Sequence, residues 1–289
     1  VKILAGCAPC QPFSRHQKDK KDRSKHKDWK LLYQFARLVK EVHPDIVSME
    51  NVPELEEEKV FLDFVKTLKQ EKYNVTYKVV NAADYGVPQR RKRLLLLASR
   101  KKKIAFIEPT HQQPVTVRDV ISELPPVSAG ESNADDQLHI TSALSPKNIK
   151  RIQHSVPGGT WKDWPKDLIL ECHKKDTGKT YSSVYGRMSW DDVSPTITTQ
   201  FTGYGTGRFG HPVQDRALTL REGAIIQTFP PNYQFLKKGE KVVIKNVARQ
   251  IGNAVPPRLG EIIGESIIEH CKKRKYVKKC DKKKGATNI

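Results

Sequence analysis

"VKILAGCAPCQPFS" (residues 1–14) decides how the chain is read. Val1, Ile3, Leu4 and Ala5 form a short apolar run, the pattern of a buried strand, and it stops at Gly6. Cys7, Pro9, Cys10, Gln11 and Pro12 come next. They lead into the largely charged stretch "RHQKDKKDRSKHKDWK" (15–30) and not into a helix. A strand that ends in a loop of this kind is where α/β folds place their ligands.

Outward from this loop the apolar positions change period. Leu31, Leu32, Phe35, Leu38, Val39 and Val42 recur at helical spacing and stop before Pro44. "DIVSMENV" (45–52) is a second strand-like run, and Phe61, Phe64, Val65 and Leu68 mark a second helix. Val75, Tyr77 and Val79 alternate as a strand, and "LLLLA" (94–98) reads as a strand covered on both faces. Strand, helix, strand, helix, strand predicts an α/β layer fold with a largely parallel sheet. From about residue 109 prolines punctuate the chain, and 109–215 reads as a separate, irregular region. Regularity returns at "LTLREGAIIQTFP" (218–230), where Thr219 and Glu222 fit a capping box. A last helix is expected from Pro256-Pro257, with Leu259, Ile262, Ile263 and Ile267 as its buried stripe.

Composition narrows the function. The 289 residues carry a formal net charge of +20, gathered into three segments. Residues 15–30 are net +5, while 89–103 and 271–285 are net +8 each, so the remainder is close to neutral. Clustered positive charge suggests a polyanionic partner such as nucleic acid. No apolar stretch reaches the roughly 18 residues of a membrane span. The five cysteines are mostly far apart, which predicts reduced thiols in an intracellular protein. Cys7 and Cys10 could be a redox pair, half of a metal site, a nucleophile or two buried thiols. No second C-x-x-C or H-x₃₋₅-H completes a zinc set, and no metal is expected. Cys7 fits a buried thiol; Cys10, between Pro9 and Pro12 at the mouth of a basic loop, does not.

"PCQPFS" (9–14), "MENV" (49–52), "QRRKR" (89–93), "RALTLREGAIIQTFP" (216–230) and "QIGNAVPP" (250–257) occur in that order. Together they resemble the DNA cytosine-5 methyltransferases motif for motif. The resemblance implies a Rossmann-like sheet of the S-adenosylmethionine-dependent methyltransferases with a smaller, irregular target-recognition domain. It divides the chain into a first catalytic part (1–108), a target-recognition domain (109–215), a C-terminal catalytic part (216–270) and a basic tail (271–289).

It also implies the chemistry. Cytosine C5 is a weak nucleophile toward a methyl sulfonium until a thiolate adds at C6. By resemblance that thiolate is Cys10. Glu50 would hold or share a proton at the base N3, and Arg93 would contact O2 and orient Glu50. Arg91 would add to the positive surroundings that favour a thiolate. Pro9, Asn253, Ala254 and Val255 are carried over as contacts to S-adenosylmethionine. The implied substrate is a cytosine flipped out of double-stranded DNA, as in restriction-modification systems. "QFTGYGTGRFGHP" (200–212) is a candidate contact segment. A DNA-binding relic without catalysis and an RNA cytosine-5 methyltransferase are the alternatives. The family normally carries an F-x-G-x-G cofactor loop ahead of its P-C-Q motif, whereas here Cys10 is the tenth residue. The expectation is an N-terminally incomplete sheet completed by a complementary polypeptide that carries that loop. The protein would be intracellular and DNA-associated.

Overall fold

The computed structural model describes residues 1–8 and 30–284, with the backbone alone for 273–284. Pro9, Cys10 and the basic stretch up to residue 29 lie outside the described residues. Four strands form one sheet in the order β1-β2-β4-β3: β1 (Ile3–Gly6), β2 (Ile46–Asn51), β3 (Asn74–Asn81) and β4 (Lys92–Ser99). β1 pairs parallel with β2, but β4 is antiparallel to both β2 and β3. The expected largely parallel sheet is therefore a mixed one. β4 follows β3 through residues 82–91 and inserts between β3 and β2, which reverses its direction.

Two compact units make up the described chain: residues 1–8, 30–81, 92–109 and 260–284, and residues 82–91 and 110–259. In the first unit α1 (Leu31–Val42) buries Leu32, Phe35, Ala36 and Val39, the stripe that the 3.6-residue period requires. Leu38, expected in that stripe, is exposed. α2 (Lys59–Gln70) buries Val60, Phe61, Phe64, Val65 and Leu68. Phe35 and Phe64 stack with ring centroids 5.4 Å apart, over a core that includes Val47, Met49, Leu94 and Leu96. Leu94 to Ser99 are buried without alternation, as a central strand covered on both faces should be. β1 differs from expectation. It is the edge strand, its residues alternate between exposed and half-buried, and Cys7 beyond it is exposed. With only β2 beside it, β1 has one neighbour to cover it.

The second unit holds α3 (Val117–Ile121), α4 (Pro146–Gln153), α5 (Glu171–Lys174), α6 (Asp176–Lys179), α7 (Leu220–Ile226) and α8 (Ile244–Asn253). Its main core joins Val117, Ile197, Phe201, Leu218, Leu220, Val247 and Ile251. Leu218 and Leu220 fill the same core as Val117 and Ile197, so residues 216–259 group with 110–215. The capping box at α7 is complete: the Thr219 hydroxyl accepts from the Glu222 amide, and the Glu222 carboxylate accepts from the Thr219 amide. α9 runs from Pro257 to Lys284, and Leu259, Ile262 and Ile267 are buried along it. Among the described residues, no helix is long and apolar enough to cross a membrane.

Candidate active site

In the first unit, Glu50 sits one residue from the end of β2, and Arg93 enters the sheet on β4. Glu50 is opposite Leu95 in the register, so Arg93 approaches it on the diagonal. The Arg93 Nε lies 2.8 Å from the Glu50 Oε1, and the two side chains are only 13% and 11% exposed. An ion pair so far removed from water is less screened than a surface pair. It holds the carboxylate in one orientation at the sheet end. Arg93 is fixed from behind as well, its Nη1 donating to the Lys92 carbonyl at 2.7 Å.

Asn51 ends the same strand, and its buried amide does two things. Its Nδ2 donates to the Ala8 carbonyl at 2.9 Å, while its Oδ1 accepts from the Val52 amide. Ala8 is two residues ahead of Cys10, so this bond ties the chain entering the cysteine loop to the strand that bears Glu50. Cys10 and Pro9 themselves lie outside the described residues. Asn51 is a site residue that the sequence expectations pass over. Its signal is its place in "MENV", where a buried amide beside a strand end needs partners.

The remaining expected residues belong to the second unit. Arg91 is buried and donates to the carbonyls of Ile197 (2.9 Å), Gly252 (3.3 Å) and Ala254 (3.1 Å). Its guanidinium fastens the segment after α8, which contains Asn253, Ala254 and Val255. Gln227 supports the same turn, donating to the carbonyls of Ile251 (2.6 Å) and Ala254 (3.2 Å). Gln89 in turn donates to Gln227 at 2.6 Å and accepts from the Ile197 amide at 3.1 Å. Both glutamines lie inside the motifs quoted above, yet nothing local marks them, because amide side chains gain a role only through tertiary neighbours. Asn253 is exposed at the last turn of α8, whereas Ala254 and Val255 are half-buried. The structure therefore brings together Glu50 with Arg93, and Arg91 with Ala254. The alternation expected around Arg91 is also present, since Arg91 and Arg93 are covered and Arg90 and Lys92 exposed.

A buried charge network organises the rest of the second unit. Arg216 and Glu222, both inaccessible to solvent, form two parallel bonds of 2.8 and 2.7 Å. Burial works against the Glu222 carboxylate, but the bonds and charge of Arg216 outweigh it and hold its pKa below the usual range. His211 lies beside this pair and accepts at Nδ1 from the Val213 and Gln214 amides. Burial lowers its pKa to about 4, so it is neutral near pH 7. Arg221 pairs with Asp136. In the segment 200–212, Phe201, Tyr204 and Phe209 are buried, so their rings are core and not free for contact. Thr206 folds the turn by donating to the Gln200 and Gly203 carbonyls. What faces outward there is Gln200 and Thr206, with Arg208 half-covered.

Known proteins resemble this chain along most of its length. Residues 1–269 match the family described as C-5 cytosine-specific DNA methylase. The Type II methylase M.HgiDII of Herpetosiphon aurantiacus is 54% identical over 271 residues, covering 92% of this chain and 75% of that protein. The Type II methyltransferase M.PspPI of a Psychrobacter strain is 34% identical over 283 residues, covering 93% of this chain and 64% of that one. These relatives hold the matched region within one longer chain, which lends no support to a separate complementary polypeptide. Among solved structures, one described as a DNA modification methyltransferase of an E. coli prophage matches with a TM-score of 0.64 at 23% identity, covering 93% of this chain and 79% of that one. The S. pombe Dnmt2 methyltransferase matches with a TM-score of 0.55 at 19% identity, covering 93% and 79%. Both share the fold. The chain belongs to the family of C-5 cytosine-specific DNA methylases.

Proposed function

We propose that the protein methylates C5 of a cytosine flipped out of duplex DNA, using Cys10 as nucleophile and S-adenosylmethionine as methyl donor. The observation that carries this reading is the shielded Glu50–Arg93 pair at the end of β2, with Asn51 beside it holding the chain that leads to Cys10. A thiolate at Cys10 adds to C6 of the base. Negative charge then develops on the ring, and Glu50 offsets it with a proton or hydrogen bond at N3. Arg93 fixes the direction of Glu50 and supplies a donor for O2. Once C5 carries the methyl group, its proton leaves and the C6–sulfur bond breaks, which restores the thiol. The basic stretch 15–30 supplies cations for the phosphates flanking the flipped nucleotide.

S-adenosylmethionine, when bound, supplies an electrophilic methyl group on a sulfonium. The residues carried over for it fit in kind. Asn253 presents an exposed carboxamide next to half-buried Ala254 and Val255, and Arg91 and Gln227 hold that turn rigid. Pro9 is carried over with them. The region 110–215 is the proposed reader of DNA sequence, with Gln200, Thr206 and Arg208 as its outward side chains.

Duplexes containing 5-fluorocytosine test this, because fluorine at C5 cannot leave as the proton does and the adduct persists. With S-adenosylmethionine present, intact mass should show a methylated covalent complex mapping to Cys10. Glu50→Gln should lower adduct formation by about 10²- to 10³-fold in protein that circular dichroism shows to be folded at the assay temperature. An adduct with RNA and none with DNA would transfer the activity to RNA. No adduct on either, with DNA binding retained, would sink the catalytic reading.

A further inference from the structure

Glu50, Asn51 and Arg93 occupy one end of the sheet, and the opposite end has its own concentration of charge. β2 begins there at Ile46, which is in register with Ile3 of β1 and Ser99 of β4, and Ser99 is in register with Asn74 of β3. Lys2, Lys72 and Arg100 immediately flank those strand ends. The six residues of β2 separate this end from Asn51 by about 17 Å. Arg100 lies over the Tyr73 ring and against His43, so it is held to the protein. Lys101, Lys102 and Lys103 follow it in an exposed bend. Among the described residues, no carboxylate forms an ion pair with any of these three ammonium groups.

α9 arrives at the same end. Its His270 contacts the Ser99 hydroxyl at 3.2 Å, and the helix then continues past the sheet to Lys284. Residues 272–284 include nine Lys or Arg and a single acid, Asp281. At 1.5 Å per residue this is a rod of about 18 Å that starts beside the lysine bend. Neither segment takes part in the proposed chemistry at Glu50.

We infer that this end of the first unit is a second binding surface for duplex DNA, formed by Lys101–Lys103 and the basic half of α9 and separate from the end where the base is modified. The partner follows from its chemistry. Duplex DNA presents one phosphate charge per about 1.7 Å of axis, which suits a rod of closely spaced cations. Single-stranded nucleic acid is gripped through aromatic platforms, and Tyr276 is the one aromatic residue in 272–284. Charge alone attracts an anionic membrane, but stable anchoring needs an apolar insertion as well, and Tyr276, Val277 and Cys280 are the only uncharged residues in 272–284. The surface would grip the phosphate backbone without reading sequence. It goes beyond the methyltransferase reading, because it holds whether or not Cys10 acts.

The test uses the full chain and a 14-base-pair duplex of random sequence. Two duplexes per chain are expected by native mass spectrometry at low salt. One should remain in Lys101→Ala/Lys102→Ala/Lys103→Ala, and likewise in a separate variant, Lys278→Ala/Lys279→Ala/Lys282→Ala/Lys283→Ala. The slope of log affinity against log salt should fall by about 2 to 3 in each, at about 0.9 for every phosphate no longer neutralised. Lys59→Ala/Lys66→Ala/Lys69→Ala on α2 removes as much charge elsewhere as the Lys101–Lys103 variant and should leave both readouts unchanged. Methyl transfer to a duplex that the unaltered protein methylates should also persist in every variant. One duplex per chain in the unaltered protein, an equal effect of the α2 variant, or tighter binding of single-stranded RNA or phosphatidylserine vesicles at the same salt would each overturn the inference.

Discussion

At the scale of single residues, position in the fold sets what each ionisable group can do. Glu50 and Arg93 are each half of a pair that excludes most water, whereas the equally charged Arg90 and Asp192 meet at the surface with more than half of each side chain exposed. The second pair contributes little to stability. His211 makes a sharper prediction. Its Nδ1 accepts two backbone amides, so protonation there would displace both and put a charge into a buried site. With a folded pKa of about 4 against an ordinary 6.5, the unfolded chain binds the proton first as pH falls. Stability should be full above pH 6.5 and decline between there and pH 4, by about 2 kcal/mol at pH 5. Urea midpoints at pH 7.5 and 5.0 measure this. His211→Asn, whose carbonyl can accept the same amides, should flatten the decline; an unchanged pH dependence would show that another group is responsible.

At the scale of elements, the turn after α8 depends on close backbone approach. A Cβ on Gly252 would fall 2.5 Å from the Thr199 amide nitrogen and closer still to the Thr198 carbonyl carbon and oxygen. Those are backbone atoms and cannot swing aside. Gly252→Ala should therefore destabilise by about 3 kcal/mol or more, although alanine is the better helix former. Arg91 crosses the same junction through the Ile197, Gly252 and Ala254 carbonyls, and Arg91→Ala would take this donor from the Ile197 and Gly252 carbonyls and leave Ala254 with Gln227 alone. A loss of about 2–4 kcal/mol is expected, with Arg91→Lys restoring only part because an ammonium cannot span three carbonyls in a plane. Denaturant titration of each variant checks both statements. An unaffected Gly252→Ala protein would mean that α8 does not press on residues 198–199.

At the scale of the whole molecule, two compact units with separate cores imply separable stability. Phe64 is buried against the Phe35 ring in the first core and has no part in the second. Phe64→Ala should cost about 3–5 kcal/mol by leaving a cavity. Hydrogen exchange should then quicken through β2, β4 and α2 more than through α7 and α8. Equal loss of protection in both units would show that they unfold as one.

Much of this molecule is legible in the residue pattern, because period and caps are local properties. The stripes of α1 and α2, the covered run of β4 and the Thr219–Glu222 box follow from spacing and hydrogen-bonding chemistry alone. Motif order marks Glu50, Arg91, Arg93 and the turn at Asn253–Val255 as candidates. Strand direction is not legible, since an apolar run reads the same whether it pairs parallel or antiparallel, and β4 is antiparallel to both neighbours. Nor are the roles of Asn51, Gln89 and Gln227, whose amides acquire meaning only from carbonyls and amides brought to them by distant segments. The aromatic residues of 200–212 could have faced a partner or the core, and packing against α7 and its neighbours placed them inside. Local sequence determined which elements form and which residues can carry charge. The tertiary structure decided which of those charges lose their water, and a group that has lost its water is held in one orientation by its remaining partners.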